Sequence, residues 1–276
     1  MISRLVLFAR LSAALFLLAA YVQADDAVTL PAGVKAVWDE AKAYRETTPT
    51  RERICLNGLW RWQPAQVQSD EVPSTNWGYF KVPGNWPGNT DYLQKDSQTV
   101  FTHPAWKDQR IADVTAAWHE RTFSVPATWI GRRVSIDLAY LNSDASVVVD
   151  GKKAGEIHYP GGELDITAAV RPGTRQTLSL LVIALPLKGV LLSYTDSAHA
   201  REVKGSVARR GLCGDVYLIG APEGPRIGDV QIATSVRKKE IRFSPMLEGL
   251  AAAGRYTLVA RVSKDGRVVK EIASAP

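Results

Sequence analysis

Between Arg132 and Leu141 the chain alternates. Val134, Ile136, Leu138 and Tyr140 are interleaved with Arg133, Ser135, Asp137 and Ala139. A two-residue period is the signature of a strand with one buried face, and it is incompatible with a helix, whose faces repeat every 3.6 residues. The same signal recurs. Residues 145–149 are the β-branched run Ala-Ser-Val-Val-Val, and they lead into Asp150-Gly151. An Asp-Gly step favours a two-residue hairpin because both central positions take φ > 0. Residues 177–185 are apolar on both faces, as in an inner strand, and Asp215 to Ile219 supplies another strand. Pro83-Gly84, Pro87-Gly88, Gly161-Gly162 and Pro172-Gly173 punctuate the gaps. Short strands with Gly/Pro turns and almost no helical pattern predict an all-β fold, a β-sandwich or jelly roll. One short helix is expected: Val34, Val37, Trp38, Ala41 and Tyr44 fall at helical spacing and Pro49 bounds them.

The first 24 residues read differently. Arg4 and Arg10 precede a run from Leu11 to Ala20 in which only Ser12 is polar, and Val22-Gln23-Ala24 follows. This is the layout of a secretory signal peptide, and the apolar run is about half the ~20 residues a membrane span needs. An exported product, periplasmic or secreted, with no membrane attachment after cleavage is the expectation. Cleavage would remove two arginines, leaving 32 basic against 28 acidic residues, a net +4 in place of +6. The remaining basic residues are scattered in doublets, Arg132-Arg133, Lys152-Lys153 and Arg209-Arg210, and in Arg237-Lys238-Lys239. Nucleic-acid binding calls for a clustered basic face, so these are read as solvated strand edges and turns, and no nucleic-acid partner is expected.

With 46% hydrophobic and 22% charged residues the composition excludes wholesale disorder. An exported protein can form disulfides, and Cys55 and Cys213 are its two cysteines. Both sit among apolar neighbours, so a bridge and two buried thiols are alternatives at this point. His103, His119, His158 and His199 share no metal-ligand spacing, and neither metal nor other cofactor is expected. Pro222-Glu-Gly-Pro225 reads as a linker. Beyond it β patterns restart, in Val230 and Ile232, in 240–247, and in Tyr256, Leu258, Ala260 and Val262 up to Asp265-Gly266. About 50 residues are half of what an immunoglobulin-like sandwich uses, so 225–276 is read as its truncated start.

Five stretches together resemble the amino-terminal part of glycoside hydrolase family 2, the β-galactosidase, β-glucuronidase and β-mannosidase group. Arg53-Ile-Cys-Leu56-Asn57-Gly58-Leu-Trp60-Arg-Trp62 is similar to its opening "R-x-x-L-N-G-x-W-x-F", and Val82-Pro83-Gly84-Asn85-Trp86-Pro87 to its "VPGNW" turn. Trp118 to Val134 resembles "W-Y-R-R-T-F-x-V-P-x-x-W-x-G-K-R-V". Val147 to Gly155 with Asp165-Ile166-Thr167 resembles "V-W-V-N-G-K-x-V-G" and "F-D-I-T". Gly211 to Leu218 resembles "G-I-x-R-D-V-x-L", with Gly214 in place of the Arg; Asp150 likewise stands where the family has Asn. The resemblance spans about 53–272. It implies a galactose-binding-domain-like jelly roll at 53–222, preceded by an amino-terminal segment with the short helix at 25–52, and followed by the incomplete immunoglobulin-like sandwich.

The resemblance also locates the chemistry elsewhere. Retaining glycosidases use two carboxylates about 5–5.5 Å apart. In this family both come from a (β/α)8 barrel, the acid/base in an Asn-Glu pair. Asn57, Asn76, Asn85, Asn89 and Asn142 are the asparagines here, and none precedes Glu. No catalytic residue is therefore assigned, and whether the chain is itself an enzyme stays open. The implied role is sugar recognition, with the barrel and a β-glycoside as partners. Two loops correspond to stretches that approach substrate in the β-galactosidases. They offer His103, Trp106 and Asp196 as carbohydrate contacts, the alternative being solvated loop residues. Trp60, Trp62, Phe123 and Trp129 are read as core. A free-standing carbohydrate-binding module and a structural sandwich without catalysis are the alternative functions.

Overall fold

The computed structural model describes residues 28–275 apart from residue 87 and residues 89–96, 186–187, 195–199 and 207–209; over 188–194 and 200–206 it describes the backbone. The expected signal segment thus lies outside the described residues. In chain order the strands are β1 (Arg45–Thr47), β2 (Glu52–Cys55), β3 (Gly58–Ala65), β4 (Gly78–Val82), β5 (Val100–Phe101), β6 (Ala116–Ser124) and β7 (Arg132–Leu138). Then come β8 (Leu141–Asn142), β9 (Asp144–Val149), β10 (Lys152–His158), β11 (Gly162–Asp165), β12 (Arg175–Ile183), β13 (Lys188–Tyr194) and β14 (Ala200–Ser206). The last six are β15 (Gly211–Leu212), β16 (Val216–Pro222), β17 (Arg226–Ser235), β18 (Glu240–Glu248), β19 (Val259–Lys264) and β20 (Arg267–Ala273). The fold is all-β, as its periodicity predicts.

Two antiparallel sheets make a jelly-roll sandwich. One has the order β1-β2-β16-β7-β11 and the other β10-β9-β12-β6-β3-β4-β5. Val134, Ile136 and Leu138 of β7 face Val147, Val149, Leu178 and Leu180 across a continuous core. Trp60, Trp62, Phe123 and Trp129 are almost fully buried, in keeping with their reading as core. The alternation of β7 does not carry to Tyr140, which is 39% exposed. The strand ends at Leu138, and the Tyr140 carbonyl instead accepts hydrogen bonds from the amides of Cys213 and Gly214. A side chain at 214 would meet the Tyr140 amide nitrogen at 2.2 Å, so this close approach explains the departure from Arg there.

β12 is the inner strand its composition suggests, paired with β6 on one side and β9 on the other. Its outer face is also covered. Trp77, Trp118, Val148 and Leu181 form a second small core, closed by Val67 and Val72 of the β3–β4 connection. The hairpin at Asp150-Gly151 has φ of 47° and 77°, the left-handed pair its sequence calls for.

The helix expected over 34–44 reduces to a single 3-10 turn, Glu40–Lys42, whose Ala41 amide is capped by the Asp39 carboxylate. Burial decides this. Val37 and Tyr44 remain 73% and 61% exposed, so a helix would have no apolar face to cover. Trp38 instead donates its indole N–H to the Cys55 carbonyl at 3.0 Å, and residues 45–47 gain a ladder with β2. Cys55 and Cys213 stand as thiols rather than a bridge.

After β16 the chain forms two hairpins, β17–β18 and β19–β20. The first is amphipathic. Ile227 faces Leu247, Val230 faces Pro245, Ile232 faces Phe243 and Thr234 faces Ile241, while the opposite side carries Gln231–Ser244 and Ser235–Glu240 pairs. Its root is tied to the sandwich by ions. Arg226 Nε donates to Glu248 Oε2 at 2.8 Å, and Arg226 Nη1 lies 3.6 Å from Glu163 of β11. Glu163 also takes Arg133 at 2.6 Å and Arg51 at 3.2 Å. Shared carboxylates of this kind couple better than isolated surface pairs. Arg226→Ala is expected to speed cleavage by a Glu-specific endoproteinase after Glu223 in the 222–226 junction, while the stability of the sandwich stays within about 1 kcal/mol of the parent; mass spectrometry of the fragments and thermal denaturation check both.

Gly220 of β16 lies against the face of Trp129, where a Cβ would come 2.5 Å from the ring. The ring is pinned by its N–H, which donates to Glu52 Oε2 at 3.1 Å, so it cannot swing away freely. Gly220→Ala is expected to destabilise the sandwich by about 1–3 kcal/mol through overpacking, read from the urea midpoint.

Candidate functional site

The sequence candidates separate in space. Asp196 falls outside the described residues. His103 and Trp106 belong to the turn after β5, and that turn folds inward. His103 is 6% exposed, and its Nδ1 accepts a hydrogen bond from the Ala105 amide at 3.0 Å, capping the 3-10 turn Pro104–Trp106. The Trp106 ring is 8% exposed and packs edge-on against Trp62 at 5.4 Å, with its N–H donated to the Asn76 carbonyl at 2.8 Å. Neither alternative raised by the sequence fits: these are not solvated loop residues, and Trp106 offers no free face to a sugar. The reason is that a lone indole on a short turn gains more from burial with a satisfied N–H than from exposure.

Trp106 is part of an aromatic box. Trp62 lies 5.4 Å from Phe80 and 5.9 Å from Trp86, and His119 stacks on Trp86 at 5.9 Å. His119 follows from β6, whose residues 117, 119, 121 and 123 face inward. The imidazole is completely buried, and among the described residues neither ring nitrogen has a hydrogen-bond partner of good geometry, the Ala117 backbone offering only a weak contact. Desolvation drives its pKa down to about 3, offset a little by the Ala117 backbone, so the ring is neutral. An unfolded chain takes up this proton below about 6.5, the folded one near 3, so the folded state loses stability as pH drops through that window. His119→Phe should flatten that loss: between pH 7 and pH 4 its urea midpoint should change less than that of the parent.

Two arginines on either side of the box were legible only in part. Arg121 is 5% exposed and donates from Nη1 to the Asn57 carbonyl at 3.3 Å and from Nη2 to the Leu59 carbonyl at 2.8 Å. Burial lowers its pKa to about 10, which leaves it charged. Its inward parity on β6, shared with His119 and Phe123, was the signal that could have marked it. Arg210 corrects the reading of Arg209-Arg210 as a solvated doublet. It is 4% exposed and its guanidinium reaches the carbonyls of Ala184 at 2.9 Å, Ala112 at 2.6 Å and Val114 at 3.3 Å. It thereby clamps the base of the β13–β14 hairpin to the loop before β6. Nothing in local sequence separates such a cation from a surface one.

The Asn57-Gly58 corner joins these parts. Asn57 Nδ2 donates to Asp215 Oδ1 at 2.8 Å, and Asn57 Oδ1 accepts from the Val216 amide at 3.0 Å. Gly58, at φ 130°, leaves room for the Arg121 guanidinium, which would lie 3.0 Å from a Cβ. Between this corner and residues 35–44 runs a groove of about 780 Å³, lined by Lys35, Trp38, Tyr44, Cys55, Asn57 and Arg121 among others. Burial raises the Cys55 thiol's pKa, so it is held protonated. Glu163, Asp165 and Glu248 come together at the root of β17, but each faces arginine. Among the described residues no three of His, Cys, Asp and Glu are grouped to hold a metal, and no helix is long and apolar enough to cross a membrane.

No family model matches the chain. The β-glucuronidase of Felis catus is 25% identical over 255 residues, covering 83% of this chain and 37% of the relative. Among solved structures, the Bifidobacterium dentium β-glucuronidase complexed with coumarin-3-O-glucuronide superposes with a TM-score of 0.58 at 19% identity, over 83% of this chain and 41% of that one. The Faecalibacterium prausnitzii β-glucuronidase gives 0.57 at 20% identity, over 84% and 41%. The Ruminococcus gnavus enzyme in complex with D-glucuronic acid gives 0.56 at 14% identity, over 84% and 40%. The chain therefore spans about two fifths of the length of the proteins it matches. In sequence and fold the chain is similar to part of the β-glucuronidases, in keeping with the resemblance to glycoside hydrolase family 2.

Proposed function

We propose that this chain is the sugar-recognising amino-terminal region of an exported glycoside hydrolase that acts on β-glycosides, with hydrolysis carried out by a catalytic barrel outside this stretch. The observation that carries the reading is the convergence of the family-like motifs on one corner of the sandwich: the Leu56-Asn57-Gly58 corner, the Arg121 of β6 and the Asp215-Val216 strand start are hydrogen-bonded to one another. They act as architecture, and the fold they hold is similar to that of the β-glucuronidases above. Residues 53–222 are then the sugar-binding sandwich and 225–276 the opening of an immunoglobulin-like unit. The arginine-rich start and the apolar run of residues 1–24 support export.

The chemistry divides accordingly. A retaining mechanism needs one carboxylate free to attack and one with a raised pKa. The crowded carboxylates here, Glu163 and Glu248, are instead neutralised by Arg133 and Arg226 and hold two elements together. The chain by itself should show no turnover of chromogenic β-glucuronides or β-galactosides above background, yet should bind a mono- or disaccharide with a dissociation constant between micromolar and millimolar in calorimetry. Turnover abolished by replacing one carboxylate would overturn the division of labour, and absence of binding to every glycan on an array would leave a purely structural sandwich.

A further inference from the structure

Two exposed features of the chain match each other in shape and charge. The first is the tip of the β17–β18 hairpin, Val236-Arg237-Lys238-Lys239. Val236 is 94% exposed, more than any other large apolar side chain among the described residues. The three cations beside it are exposed, and among the described residues none of them joins an ion pair. The turn is held in one shape: the Lys238 amide donates to Ser235 Oγ at 3.2 Å and the Lys239 amide to the Val236 carbonyl at 3.1 Å. A tip ordered in advance loses little freedom on docking. The second feature is a cleft of about 580 Å³ on the outer face of the seven-stranded sheet. Its floor is apolar, made by Trp118, Val148, Leu181 and Ile183. The 67–72 segment walls one side, tied down where the Trp118 indole N–H donates to Ser69 Oγ at 3.2 Å. That wall carries Asp70 and Glu71, both exposed and in no ion pair among the described residues. On the β10 side Lys153 and Glu156 neutralise each other. The cleft therefore offers an apolar floor beside two unmatched negative charges, and the tip an apolar knob beside three unmatched positive ones. Residues 236–239 do not line the cleft, so one chain does not make this contact with itself.

We propose that the hairpin tip docks in this cleft on a second copy of the chain, with Val236 on the apolar floor and Arg237, Lys238 and Lys239 against Asp70 and Glu71. Burial of the valine supplies affinity, and the opposite charges at the rim steer the encounter and set its orientation. Tip and cleft are different patches of one molecule. Two copies that exchange tips close as a two-fold pair, and copies that do not exchange them continue head to tail. A contact of this size belongs with the weak, transient class of interfaces. It is independent of the carbohydrate reading and adds a partner, the chain itself.

Sedimentation velocity of the full chain at increasing protein concentration tests it. At low salt the weight-average sedimentation coefficient is expected to rise above the monomer value, and added salt should move the midpoint to higher concentration by about fivefold or more. Val236→Asp should weaken association by about tenfold or more. Lys238→Glu combined with Lys239→Glu should abolish it, and so should Asp70→Lys combined with Glu71→Lys. Mixing these two charge-reversed chains should restore it, because each reversed tip then meets a reversed cleft and each native tip a native cleft. All five positions are exposed, and unchanged urea midpoints verify that the variants fold. A sedimentation coefficient that stays at the monomer value at every concentration overturns the proposal. So does association that survives either charge reversal, or a mixture of the two that stays monomeric.

Discussion

The sandwich is organised around large buried rings, four of which also tie down backbone or a strand end through their indole N–H groups. Trp60 donates to the Leu56 carbonyl, Trp86 to that of Val114, Trp106 to that of Asn76, and Trp129 to the Glu52 carboxylate. Each indole fills core volume while its nitrogen seizes a loop or a strand end. Burying a ring contributes hydrophobic free energy, and the obligation to satisfy its N–H fixes where the neighbouring backbone must pass. The connections between sheets are therefore as well determined as the strands. The same logic draws Trp106 into the core and removes it from the surface where a sugar could reach it.

Two buried arginines extend this principle to charge. Arg121 braces the turn between β2 and β3, and Arg210 gathers three carbonyls at the base of a hairpin. Carbonyl oxygens can solvate a guanidinium but cannot neutralise it. Arg121 differs from Arg210 in lining an open groove. The ion cluster of Arg133, Glu163, Arg226 and Glu248 does the opposite. Its charges are fully matched, so it serves as a fastening between the sandwich and the hairpin that follows.

Much of the fold was readable from local pattern. The strands read at 132–141, 145–149 and 177–185, found at 132–138, 144–149 and 175–183, the Asp150-Gly151 and Asp265-Gly266 turns and the core role of Trp60, Trp62, Phe123 and Trp129 follow from period and turn chemistry. The amino-terminal helix did not follow. Helical spacing over 34–44 is a statement about possible burial, and only the position of Cys55 and the edge of β2 decided that pairing a strand there gains more than winding a turn. The candidate site was the least legible part. Loop residues were chosen for their chemistry, and chemistry does not say which way a loop turns.

The sequence by itself determined the class of the fold, the turns at its Asp-Gly steps, and, through its motifs, the relatives to which the chain is similar, because these depend on neighbours within a few residues. Tertiary structure alone decided that His119 is a neutral ring in an aromatic box, that Arg210 is buried while its surroundings in sequence look like surface, and that Arg121 turns inward to the Asn57 and Leu59 carbonyls. Each of these depends on groups separated by scores of residues. Their solvation and partners exist only once the two sheets have closed, and burial, which sets the energy of a polar side chain, is a property of the assembled sandwich and not of the strand that carries it.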